Sequence, residues 1–186
     1  MMKHFLQCIT VIVLFIPWIG MRAQEQNRSQ AVYIELFGAS NLIGVNFDER
    51  FKVSSETGFG WRAGLGFGFS SSSISHAFNI SEGEIKEIDV YNKLFRLSAP
   101  VGVNYLLGKS NSKIETEIGA ILCFDHYLSA GDAGSVNQFG IIPYLSLGYR
   151  YVSEKGFLFR VGVLPIYNYA SKRLTFYPQI SIGRAF

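Results

Sequence analysis

From Val32 to the end of the chain, apolar residues alternate with glycine, polar or charged ones. A period of two belongs to β-strands, where successive side chains point to opposite faces. Eight runs carry it: Val32–Gly38, Ile43–Phe51, Phe59–Phe69, Phe95–Leu107, Ile114–Phe124, Ile141–Tyr151, Phe157–Tyr167 and Phe176–Phe186. The third is the plainest. Phe59, Trp61, Ala63, Leu65, Phe67 and Phe69 share one side, and Gly60, Arg62, Gly64, Gly66 and Gly68 the other.

The connections alternate in length independently of hydrophobicity. Lys52–Gly58, Gly108–Lys113 and Val152–Gly156 are short, whereas Ser70–Leu94, Tyr127–Gly140 and Asn168–Thr175 are longer. Short turns at one end and long loops at the other predict an all-β fold: an eight-stranded antiparallel up-and-down transmembrane β-barrel with its short turns in the periplasm. The first hairpin, around Ala39–Leu42, is an exception with a short outer loop. If odd strands run outward, Phe51, Phe59, Trp61, Tyr105, Tyr149, Tyr151, Phe157 and Phe186 gather near the periplasmic boundary. Phe67, Phe69, Phe95, Phe124, Tyr167 and Phe176 gather near the outer one, giving the two aromatic belts of a barrel in lipid.

The polar sides of the strands are rich in glycine and poor in charge for a solvated surface, which suits a narrow interior and leaves the apolar side to lipid. That interior holds Glu35, Asp48, Glu115, Glu117 and Asp125 against Arg50, Arg62, Arg96, Arg150 and Arg160, so acids and bases balance and can pair. Eight strands leave room for side chains and little else, which speaks against a wide diffusion channel. In lipid an open sheet edge is too costly, so strand one must close against strand eight.

The first residues change the picture of the whole chain. Lys3 precedes an apolar stretch, Phe5–Gly20, and Met21, Arg22 and Ala23 follow. Interrupted by Gln7 and Pro17, this reads as a signal peptide over residues 1–23 and not as an anchor, with residues 24–186 forming the barrel domain. Cys8 sits too early to be a lipid-modified N-terminal cysteine. Cleavage removes Lys3 and Arg22, so 17 basic and 14 acidic residues become 15 and 14. A nearly neutral mature chain without Lys/Arg runs argues against a nucleic-acid partner. Cys123 is then the single cysteine and no internal disulfide can form.

The segments VYIELFGASNLIGVNFDERF (Val32–Phe51), APVGVNYLLGK (Ala99–Lys109), SLGYRY (Ser146–Tyr151) and ISIGRAF (Ile180–Phe186) together resemble small outer-membrane barrel proteins common in Bacteroidetes, over nearly all of the mature chain. The resemblance implies location and fold, with outer-membrane lipid and lipopolysaccharide as surroundings, and carries no catalytic residues. The closing strand ending in Phe186 resembles the signal read by the barrel-assembly machinery, departing from it at Arg184, where an aromatic or apolar residue is usual.

Candidate chemistry is thin. Gly58, Gly60 and Ala63 fit a dinucleotide-binding G-x-G-x-x-A, but that pattern needs a strand before it and a helix after it, and here the alternation runs on to Phe69. Ser75–His76 and Asp125–His126 lie toward the outer rim, where small lipid-modifying barrels place their catalytic groups. Ser75 belongs to a serine-rich stretch, and no third group completes a set. Glu82, Glu84, Glu87 and Asp89 concentrate acid in the longest loop without a recognisable cation-loop spacing. Cys123 alternates with interior residues and reads as buried. The sequence therefore assigns no catalytic, cofactor-binding or metal-binding residues. It favours a non-enzymatic envelope protein, structural or binding an extracellular ligand through its loops. The alternatives are an outer-leaflet lipid-modifying enzyme using His76 or His126, and a narrow passive pore.

Overall fold

A computed structural model of the protein describes residues 28–186 except 53–54, 76–78, 82–83, 87–88, 109, 130–134 and 169–172. Strands β1 (Gln30–Phe37), β2 (Ile43–Arg50), β3 (Gly58–Ser75), β6 (Asp89–Leu107), β7 (Ser112–Ser129), β8 (Ser135–Val152), β9 (Phe157–Asn168) and β10 (Arg173–Ala185) form a closed barrel. Every neighbouring pair is antiparallel. Two short strands between β3 and β6, β4 (Asn79–Ser81) and β5 (Glu84–Lys86), pair with each other apart from it. β1 closes against β10 from Ala31–Ala185 to Phe37–Gln179. Gln30 and Phe186 exchange amide-to-carbonyl bonds of 3.1 and 2.9 Å below that ladder. The end carrying these residues and the short turns is the base, and the opposite end is the mouth.

Alternation sets the facing as the sequence requires. Leu65, Ile118, Leu145 and Ile182 stand on the outside, each more than half exposed. Arg62, Arg160, Glu35 and Asp48 are buried inside. This inverts a water-soluble barrel, in which apolar groups fill the centre. The register assembles the aromatic belts from cross-strand partners. Phe59 faces Tyr105 and Tyr151 faces Phe159 near the base, while Phe69 faces Phe95 and Phe124 faces Phe139 toward the mouth. The rings of Phe59 and Tyr105 meet edge-on, with centroids 4.8 Å apart.

Several strands are longer than the periodicity predicts. Ser70–Ser75 extends β3, Asp89–Leu94 extends β6, and Tyr127–Ser129 with Ser135–Gly140 extend the hairpin of β7 and β8. In these extensions apolar and polar residues no longer alternate strictly, so the periodic signal fades while the backbone ladder continues. Glu84 and Asp89, expected in a loop, lie in β5 and β6. His76, Glu82, Glu87 and the signal segment 1–23 lie outside the described residues. The wall is uneven as a result: β3, β6, β7 and β8 have 18 or 19 residues, β1 and β2 only eight.

Two local features shape the mouth. The turn joining β1 to β2, a 3-10 turn at Gly38–Ser40, folds into the lumen instead of outward, and Ala39 and Ser40 are fully buried. Glycine makes this possible at Gly66, where a Cβ would stand 2.3 Å from the Ser40 carbonyl oxygen. It does so again at Gly44, where a Cβ would meet the Ser40 Cβ at 2.6 Å. The second feature lies opposite. The β8–β9 ladder ends at Leu147–Val163, although both strands run on toward the mouth, β8 paired with β7 and β9 with β10.

Candidate functional site

The lumen is layered, and β7 shows the order from base to mouth: Lys113, Glu115, Glu117, Gly119, Ile121, Cys123, Asp125. At the base, Lys113 Nζ lies 3.4 Å from Glu56 Oε2. Arg28, Arg50 and Arg150 surround a cavity of about 10 Å³, room for a single water.

Above it sits a continuous charge network. Asp48 is held by Arg50 at 2.7 Å and by Arg150 at 2.8 Å. Arg150 continues to Glu115 at 2.7 Å, and Arg160 reaches Glu115 from the other side at 2.8 Å. Arg160 also approaches Glu35 at 3.4 Å, while Arg62 binds Glu35 at 2.6 Å and Glu117 at 3.2 Å. Four guanidinium groups thus meet four carboxylates, every side chain at most 4 % exposed. Neutral groups add further partners, although Arg50 Nε and the Tyr33 hydroxyl have none. Asn104 bridges Arg50 and Asp48, and the Tyr144 hydroxyl donates to Glu117. The Tyr33 ring lies under the Arg160 guanidinium, 4.4 Å from its centroid. Buried charges survive when they are paired, and every charge of this network has an oppositely charged partner within 3.4 Å.

The inward turn rests on this network. Ser40 donates its amide to Glu35 Oε1 at 3.1 Å, and Asn46 donates to Ser40 Oγ at 3.0 Å while accepting from Arg62 Nε at 3.1 Å. Next toward the mouth come Ala39, Ile121, Cys123, Tyr144 and Leu164, an apolar layer with Ile142 packed against it. Beyond it, Arg96 and Asp125 form a bidentate pair, both bonds 2.6 Å, with the Arg96 side chain a quarter exposed.

All ten charged residues assigned to the interior by periodicity are therefore there, and each arginine has a carboxylate partner. Cys123 is buried in the apolar layer, 2 % exposed. Asp125 and His126 do not converge, because neighbours on a strand point to opposite faces. Asp125 turns inward to Arg96, and His126 Nδ1 lies 2.6 Å from Asn137 Oδ1 on the outer face. Among the described residues no three His, Cys, Asp or Glu side chains gather as metal ligands.

The sequence reading missed the uncharged luminal partners Tyr33, Asn46, Asn104 and Tyr144 as members of one network. Their parity with Glu35, Asp48, Arg96 and Arg150 on the same strands already places them inside. It also missed the inward turn, whose signal is the density of luminal glycine in β2 and β3.

No family model matches the chain, and no curated protein does. Two crystal structures of Ail, the attachment invasion locus protein of Yersinia pestis, resemble it in fold. One, in complex with the heparin analogue sucrose octasulfate, gives a TM-score of 0.47 at 8 % identity, covering 84 % of this chain and 95 % of that one. The other gives 0.41 at 7 % identity, covering 84 % and 93 %.

Proposed function

We propose that the protein is an integral outer-membrane β-barrel of the Bacteroidetes type, non-enzymatic and non-conducting, which serves the envelope as a structural element or presents its long hairpins to an extracellular ligand. The observation that carries this reading is the inverted barrel: an apolar, aromatic-belted exterior around a self-neutralising charged interior. Such an exterior is stable only in hydrocarbon, and a closed barrel leaves no backbone edge to the lipid. Export would be directed by residues 1–23 and completed by cleavage after Ala23, and the barrel-assembly machinery would insert the chain with its base toward the periplasm. Lipid and lipopolysaccharide would then surround the wall.

The non-conducting part rests on the filled lumen, in which the charge network, the inward turn and the apolar layer follow one another. The non-enzymatic part rests on the luminal charges, each of which is paired with an opposite one.

Membrane fractionation tests the placement. The mature chain, beginning at Gln24, should stay with outer membranes through carbonate extraction, and recovery as a soluble periplasmic protein would overturn the reading. The pure protein in planar bilayers should give no discrete current steps, whereas steady steps would replace it with the pore. A change in lipid A mass spectra on deleting the gene would replace it with the enzyme.

A further inference from the structure

The charge network is balanced, but the layer beneath it is not. In the network four guanidinium groups cancel four carboxylates. At the base Arg28 and Lys113 add two positive charges, and among the described residues lining the cavity there only Glu56 is added against them. One positive charge is left over. It falls on the cavity of about 10 Å³, which is lined by Arg28, Arg50, Lys113 and Arg150 on one hand and by Asp48 and Glu56 on the other. Lys113, Arg50 and Arg150 are each at most 3 % exposed.

Hydrogen bonding shows the same imbalance. Each oxygen of Asp48 already accepts from both Arg50 and Arg150, and Oδ2 accepts from Asn104 as well, which more than fills the roughly four lone-pair sites of a carboxylate. Asp48 can take no further donor. Glu56 reaches Lys113 at 3.4 Å from a side chain 36 % exposed, so its charge acts from the rim of the cavity. Donors, by contrast, are in excess. Arg50 Nε is buried without a partner. Arg28 directs its guanidinium to the main-chain carbonyls of Ser153, at 2.9 Å, and of Glu154, which accept hydrogen bonds without cancelling its charge.

We propose that this cavity is a binding site for one monatomic anion, a halide such as chloride, which completes the charge balance of the lumen. The site selects by size and by sign. Its volume takes one particle about as large as water and excludes phosphate, sulfate or a carboxylate group. A cation would face four positive side chains and two negative ones. A water molecule could accept from Arg50 Nε, yet its own two hydrogens would seek acceptors beside a carboxylate that is already filled. A halide only accepts, and it brings the missing charge. Leu106 and Val152 complete the lining, and such apolar walls strengthen the attraction between the ion and the guanidinium groups. Entry is from the base, past Arg28 and Glu56, the partly exposed members of the set.

The site lies inside the barrel whatever surrounds the wall, so its test is separate from that of the membrane placement. The mature chain is refolded into detergent micelles, and its urea midpoint is read at constant ionic strength as sodium chloride replaces sodium gluconate, whose anion is too large to enter. Binding of one ion should raise the folding equilibrium constant about tenfold for each tenfold rise in chloride above the dissociation constant, and bromide should act in the same way. Arg28→Gln removes the surplus charge and leaves the Asp48 network in place. Its midpoint should no longer depend on chloride, whatever its absolute value, while Lys155→Ala in an exposed base turn should keep the full dependence. In wild-type crystals grown in sodium bromide, anomalous diffraction should place one bromide in the cavity. Equal midpoints in chloride and gluconate overturn the proposal. So does a chloride effect undiminished in Arg28→Gln, or bromide on the outer surface alone, which would mean an adventitious ion only.

Discussion

The lower and upper halves of the lumen solve one packing problem in different ways. Below Gly119 the cross-section is spanned by long charged side chains from facing strands, each arginine sharing its carboxylates with another. Above it the space is filled by main chain, the inward turn at Gly38–Ser40, and by small apolar groups around it. The lower solution ties the wall together through interactions that cannot lose a single member cheaply. The upper one is held by fit. It coincides with the part of the wall where the β8–β9 ladder is incomplete.

The largest expected effect lies in the lower half. Arg160→Ala leaves Glu115 and Glu35 short of a partner in a dry interior and should cost about 3–5 kcal/mol. It should appear as a clear fall in the urea midpoint of the refolded barrel, while Lys155→Ala in an exposed base turn leaves the midpoint in place. Equal midpoints would mean that water reaches the network.

Leu65→Arg gives an external reference, since it changes the mid-wall outside without touching either half of the lumen. A charge there should cost about 2–4 kcal/mol in liposomes, and folding as efficient as wild type would reverse the assignment of faces.

In the upper half, Gly66→Val drives a side chain into the Ser40 carbonyl and should cost about 1–3 kcal/mol by overpacking. Its specific sign is new protease cleavage within Ala39–Leu42, as the turn is expelled while the network below stays intact. The smallest effect belongs to Arg96→Ala. Its partly exposed pair with Asp125 should be worth less than about 1 kcal/mol, measured in the same urea titration. A loss as large as that of Arg160→Ala would erase the distinction between the halves.

How much of this was legible depends on how strongly each feature repeats. Facing was readable at Leu65, Arg62 and Arg160 because one face of every strand is fixed by its medium, and an error of one residue would invert the whole strand. The charge balance followed from facing alone. Strand ends were not readable at Ser70–Ser75 or Asp89–Leu94, where apolar and polar residues do not alternate. The inward turn was hidden because Gly38–Ala39–Ser40 is ordinary hairpin sequence, and its direction depends on Gly44 and Gly66 in strands it meets only after folding.

Closure of the wall also has a consequence in time. β1 is flanked by β2, which follows it directly, and by β10, where Ser181 Oγ reaches Glu35 Oε2 across 146 positions of sequence. Ring closure over so long a separation is slow, because the entropy of bringing distant segments together is lost before contacts repay it. The first strand made must therefore keep one flank unpaired until the last has been delivered. Glu35, on that strand, waits with it for Arg160 and Ser181. The barrel is thus committed by its final strand, and until then its oldest segment is the one most in need of protection.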